Sequence, residues 1–155
     1  MSAPAAVQAR DVADRRQLLR LRQLREAAAL RELGVLRDQH RAAWQQVQDR
    51  HGHIGLVRRE LTAGAAWVHG NSLPSAARLA PYAQACQDKL EDELERARYD
   101  LVNEQHVLDD ATAALDRARA NWLRALARQQ GVQQLCEDIQ RALRLQNEQR
   151  LESET

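Results

Sequence analysis

The sequence predicts an all-α protein in which two long helices form an antiparallel coiled-coil hairpin with a short helical or irregular bend. Three observations carry that expectation. Leu94, Leu101, Leu108, Leu115, Trp122, Cys136 and Leu143 recur on one seven-residue ladder, interrupted only at Gln129, beside a second row of Leu90, Ala97, Glu104, Ala111, Ala118, Ala125, Val132 and Ile139. Two such rows with mostly charged or polar residues between them are the pattern of a coiled-coil seam. Two of the three prolines, Pro74 and Pro81, fall together near the midpoint in "HGNSLPSAARLAPY", His69 to Tyr82. Finally, 27 Ala, 22 Leu and 22 Arg among 155 residues, with no Phe, is the bias of long helices rather than of a mixed globular core.

Residues 1–9 are expected to be a flexible start, followed by a single coiled-coil domain over 10–150. Its first helix spans about 10–69, and its inward rows are Leu33, His40, Val47, Ile54, Leu61 and Val68 with Ala29, Leu36, Ala43 and Val57. Arg50 and Gly64 spoil the second of these rows. Upstream, Leu18, Leu21, Leu24 and Ala28 follow a different frame, which predicts a register change near residues 26–30 with those leucines in the seam. Gly52 and Gly55 each disfavour a helix interior by ~1 kcal/mol relative to Ala, which predicts a softer turn there.

The bend is expected over about 70–80. Gly70 would end the first helix in the left-handed conformation, Asn71 and Ser72 suit a turn, "SAARLA" has room for one or two helical turns, and Pro81 would open the second helix. That helix runs to about residue 148, and 149–155 are expected to be a flexible end. Each helix alone leaves its apolar stripe in water, so folding back stabilises both. With the bend near residue 75, position i faces roughly 150 minus i, which sets Arg58 and Arg59 opposite "EDELE", Glu91 to Glu95. One charged seam position, Glu104, then needs a partner or an exit to water. The expected product is a rod ~90 Å long.

The chemistry of enzymes is not apparent. Ser72, Ser75 and Thr62 lack a His/Asp arrangement, there is no glycine-rich phosphate loop, and a two-helix rod offers no concave pocket, so neither catalysis nor a cofactor is expected. His51 and His53 would project about 200° apart on a helix, which favours solvent-facing histidines over a metal chelate. His40 reads as a packed seam histidine. Cys86 and Cys136, on one helix, would lie about 75 Å apart, far beyond the reach of a disulfide.

Charge is unevenly spread around a net +1, and "RRQLLRLRQLR", Arg15 to Arg25, holds five Arg and no acid. It reads either as a solvated helix face or as a surface for an anionic protein, whose carboxylates suit Arg forks. RNA or a membrane surface fits less well, because Lys is nearly absent and no aromatics interleave. Trp67, Leu73, Leu79 and Tyr82 near the bend either plug the hairpin or form an exposed tip that docks on another protein. No apolar run approaches the roughly 18 residues of a membrane span, and a soluble cytoplasmic protein is expected.

An Arg/Leu-rich first helix ("LLRLRQLREAAALRELGVLR"), the mid-chain bend "GNSLPSAARLAPY" and an Ala/Leu heptad helix ("LEDELERARYDLVNEQHVLDDATAALDRARANWLRAL") together resemble the stalk proteins of type III secretion, the flagellar FliJ and injectisome YscO groups. The resemblance covers roughly residues 10 to 145 and rests on length, halves and bend rather than on a diagnostic motif. It implies a cytoplasmic antiparallel coiled coil, peripheral to the inner-membrane export apparatus. Its paired termini would enter a hexameric export ATPase, and its bend would face the cytoplasmic domain of the export gate, with escort of secretion chaperones as a linked role. Carried onto this chain, the ATPase end comprises Arg15, Arg16, Arg20 and Arg22 with Arg124, Arg128, Glu137 and Asp138, and the gate end comprises Leu73, Leu79 and Tyr82. The chain departs from the flagellar pattern in lacking Phe near the bend and in its Gly52/Gly55 interruption. A coiled-coil arm that grips nucleic acid and a plain homodimeric scaffold are the rival readings.

Overall fold

The structure is a computed structural model that describes the backbone of residues 3–70 and 74–153, and side chains from residue 11 onward. Two helices make up the fold, α1 (Ala3–Gly70) and α2 (Pro74–Ser153), packed against each other as a helical hairpin. No strand occurs among the described residues. Contacts divide the chain into two units: a terminal unit of Met1–Leu36 with Leu115–Thr155, and a bend unit of Arg37–Ala114. Each pairs a stretch of α1 with a stretch of α2.

The helices are longer than the sequence predicts. α1 already includes residues 3–9, and α2 continues to Ser153, so the described parts of the two expected flexible ends are helical. The expected bend also shrinks, because α2 begins at Pro74 and not at Pro81. Proline suits the first helical position, where its missing N–H has no intrahelical partner, and Pro74 takes that role. Pro81 then lies inside the helix and cannot donate to the Ala77 carbonyl one turn back. Gly70 closes α1 without the left-handed conformation expected of it. Asn71, Ser72 and Leu73 lie outside the described residues.

The inward face of α2 follows the two expected rows. From Leu90 to Leu143 every ladder position, including Gln129 and Glu104, is at least half-buried, and Ala97 and Ala118 are fully so. In α1 the rows from Leu33 to Leu61 are likewise inward, with Ala43, Val47, Ile54 and Val57 buried.

The predicted register change near residues 26–30 does not occur. Val12, Arg15, Leu19, Arg22, Glu26, Ala29, Leu33 and Leu36 continue the same alternation of three and four residues that runs on through His40, Ala43, Val47 and Arg50. Leu18, Leu21 and Leu24 are therefore outside the seam, 42, 47 and 56% exposed. The α2 ladder keeps one phase throughout, so α1 stays in phase with it by turning Arg15, Arg22 and Glu26 inward. Long stems let arginine cover apolar surface while the charged head reaches out.

Register within each unit is fixed by cross-helix polar contacts. In the terminal unit Trp122 Nε1 donates to Glu26 Oε1 at 2.8 Å. In the bend unit His53 Nε2 lies 3.1 Å from Glu93 Oε1, and Arg50 reaches both Glu104 and Asp100. These pairs lie within a few residues of the expected antiparallel register. Arg58 and Arg59 are exposed and form no ion pair with Glu91–Glu95 among the described residues. They occupy outer positions of α1, and the acidic stretch is met instead by the inward-leaning His53.

Gly52 and Gly55 have ordinary helical φ, and a Cβ added at either meets nothing within 4 Å. Packing does not require glycine there. Gly52→Ala and Gly55→Ala are each expected to stabilise the fold by about 0.5–1 kcal/mol, through higher helix propensity and a less flexible unfolded chain. Thermal melts followed by far-UV circular dichroism would check this, and a lower midpoint would show that the segment needs its glycines.

Candidate functional site

The arginines of "RRQLLRLRQLR" divide between the two faces of α1. Arg15 and Arg22 turn towards α2, whereas Arg16, Arg20 and Arg25 are exposed. Arg15 and Arg16 line a small cleft of about 40 Å³ with Val12 and the α2 residues Cys136, Ile139, Gln140 and Leu143. Arg22 Nε is buried without a hydrogen-bond partner. Leaving such a donor unpaired is costly, so the terminal seam is less well satisfied than the seam of the bend unit. On the outer face, Arg16, Gln17, Arg20, Leu21 and Leu24 surround one shallow surface depression.

The α2 residues expected beside these arginines are placed differently. Arg124, Arg128, Glu137 and Asp138 are all exposed. Arg124 Nη2 donates to Asn121 Oδ1 at 2.6 Å, Gln133 Nε2 donates to Glu137 Oε1 at 3.0 Å, and Asp138 Oδ1 accepts from Gln134 and Arg141. All of these partners belong to α2 itself. Glu137 and Asp138 form no ion pair with Arg15, Arg16, Arg20 or Arg22 among the described residues. The inward slots of this part of α2 belong to Val132, Cys136 and Ile139, which leaves the acids facing away.

Near the bend, Leu79 is 47% exposed and Tyr82 74% exposed, with Trp67 and Val68 also exposed. These side chains do not plug the hairpin, and they stand on its surface. Leu73, the third residue expected there, lies outside the described residues.

One constellation in the bend unit was missed as a pair, although both members were conspicuous. Arg50 donates from Nη2 to Glu104 Oε1 at 2.8 Å and from Nε to the two Glu104 oxygens at 3.2 and 3.3 Å. Its Nη1 lies 3.5 Å from Asp100 Oδ2. The hydrogen bonds donated to Glu104 hold the Arg50 guanidinium above its ordinary pKa against the opposing effect of desolvation, with the charges of Glu104 and Asp100 adding attraction. A raised folded-state value stabilises at all pH below the unfolded value and is lost only under strongly alkaline conditions. The residue that spoils one row thus neutralises the residue that spoils the other. The signal available in sequence was their separation, which falls within a few residues of the antiparallel register.

Among the described residues no group of three or more His, Cys, Asp or Glu is placed to hold a metal ion. His51 is exposed, His53 pairs with Glu93, and His40 is half-buried on the inward face. Cys86 and Cys136 are both free thiols. Among the described residues no helix is long and apolar enough to cross a membrane. Comparison of the chain with protein-family models, with curated proteins and with solved structures finds no match.

Proposed function

We propose that this chain is a non-enzymatic cytoplasmic stalk of a type III secretion system, which engages a hexameric export ATPase and links it to the export gate. The observation that carries the reading is the outward pair Arg16 and Arg20 on a two-helix hairpin. Both are exposed, and neither forms an ion pair among the described residues, so they are available to carboxylates of another protein. Exposed Leu79 and Tyr82 support a second contact surface on the bend unit, suited to the cytoplasmic domain of the gate. Escort of secretion chaperones would be a further use of the same surfaces.

The mechanism follows from symmetry. A hairpin of two unlike helices cannot match six equivalent subunits at once. It favours one arrangement of nucleotide states over its rotated equivalents, and so couples hydrolysis to its own orientation by differential contact. Arg16→Glu with Arg20→Glu is expected to abolish stimulation of the cognate ATPase while helicity is unchanged, because both side chains are exposed and neither holds an ion pair among the described residues. Undiminished stimulation would overturn the assignment. Leu79→Ser with Tyr82→Ser is expected to block export and leave ATPase stimulation intact. If the chain instead binds RNA, with affinity falling steeply as salt rises, the basic face is a nucleic-acid surface.

A further inference from the structure

We infer that the outer face of α1 between Leu18 and Val35 is a second coiled-coil seam, built to receive an acidic amphipathic helix of another protein. The inference shares Arg16 and Arg20 with the secretion reading and adds the apolar row beside them, and peptide binding tests it separately from ATPase stimulation.

Its basis is the spacing of the outer residues. Leu21, Leu24, Ala28, Arg31 and Val35 continue a three-and-four alternation, with Leu18 at its edge, and all six are exposed. At about 100° per residue this row lies roughly 140° around the helix from the inward row of Leu19, Arg22, Glu26, Ala29, Leu33 and Leu36. One stretch of α1 therefore carries two seams on nearly opposite faces. The inner one meets α2. The distribution of residue types is informative, because Leu18, Leu21 and Leu24 stand outside while the inner row accommodates Arg15, Arg22 and Glu26 beside Leu19, one of them with an unpaired buried Nε. A helix serving only its own hairpin would be expected to place those leucines inward.

Charge identifies the occupant. Arg16 and Arg20 lie on one side of the outer row and Arg25 on the other, and all three are exposed. Between Asp14 and Glu32 the only acid is Glu26, which is turned inward and accepts from Trp122. In a coiled coil the residues flanking the seam select the partner, so these arginines call for Glu or Asp at the partner's flanking positions. A lipid surface is disfavoured by the same geometry. Interfacial helices present a broad apolar face with bulky anchors, whereas this row is a narrow stripe that is interrupted by Arg31 and ends in Val35.

A direct test uses the full-length chain and two synthetic helical peptides with leucine at both seam positions, one bearing glutamate and the other lysine at all flanking positions. Fluorescence anisotropy is expected to show binding of the glutamate peptide and not of the lysine peptide. Leu21→Ala with Leu24→Ala should weaken binding on the order of tenfold or more with helicity unchanged, since alanine keeps helix propensity and neither leucine lies in the inner seam. Arg16→Glu with Arg20→Glu should shift preference towards the lysine peptide. A photo-crosslinker in place of Leu21 should capture the peptide and one in place of Leu19 should not. Failure of the glutamate peptide to bind, equal binding by the lysine peptide, equal binding by the alanine variant, or capture from Leu19 would overturn the inference. Binding to phosphatidylglycerol vesicles without peptide binding would overturn it in favour of a membrane surface. Self-association in sedimentation that the alanine variant abolishes would overturn it in favour of a second copy.

Discussion

Val57→Asp is expected to lower the unfolding free energy by about 3–5 kcal/mol, the largest effect of any single substitution considered for this protein. Val57 is 3% exposed on the inward row of α1. The His53–Glu93 contact on one side and the approach of Gln87 to Gly64 on the other place it at the level of residues 87–93 of α2. An aspartate there loses the valine's apolar burial and has too short a stem to carry its charge to water. It also lies at the level of an acidic stretch of α2 that holds Glu91, Asp92, Glu93 and Glu95. Desolvation and like charge would both raise the pKa of the introduced carboxylate above its unfolded value, so the loss should be smaller at acidic pH and full at neutral pH. Urea unfolding followed by circular dichroism at two pH values reads both features. Val57→Thr keeps the shape and should cost only about 1 kcal/mol, because its hydroxyl can bond the carbonyl one turn back. Equal effects of the two substitutions would show that residue 57 is not in the seam.

Arg50→Leu is expected to cost about 1–3 kcal/mol, between the values typical of exposed and of buried ion pairs, because the two side chains are 29 and 21% exposed. The cost arises from what remains. Glu104 would stay in a seam row with no cation, and Asp100 would lose its neighbour as well. Glu104→Leu should be milder, since Arg50 keeps Asp100 and has a longer stem with which to reach water. Replacing both by leucine is expected to restore the stability of the parent chain or exceed it, as apolar substitution of a buried pair commonly does. Register would then rest on the remaining contacts, and a cysteine pair introduced across the two helices should oxidise less selectively in the double variant than in the parent. If Arg50→Leu leaves the unfolding midpoint unchanged, the contact contributes nothing to stability.

The α2 seam was legible residue by residue, because Leu, Ala and Trp at steps of seven leave one choice of inward face. The helical nature of "SAARLA" was also legible, although the start of α2 was not. Two prolines competed for the first helical position, and Pro74 took it at the expense of a backbone hydrogen bond at Pro81. Of the candidate site, Arg16, Arg20, Leu79 and Tyr82 are exposed, and Glu137 and Asp138 are exposed without an ion pair to the arginines of α1 among the described residues. Ladder positions specify which side chains turn inward, and they leave open which α2 side chains reach their own neighbours first.

By itself the sequence determined two helices, their antiparallel pairing and the inward face of α2, since each follows from a periodicity local to one helix and from a break between them. Only the tertiary structure decided which of two competing faces of α1 turns inward before residue 30. Both Leu18/Leu21/Leu24 and Leu19/Arg22/Glu26 are regular rows, and hydrophobicity alone favours the first. The second is chosen because a seam must stay in phase with its partner along its whole length, and α2 does not shift. Arginine and glutamate tolerate the inner row through long stems and, for Glu26, a bond to Trp122, which leaves the leucines on the outside.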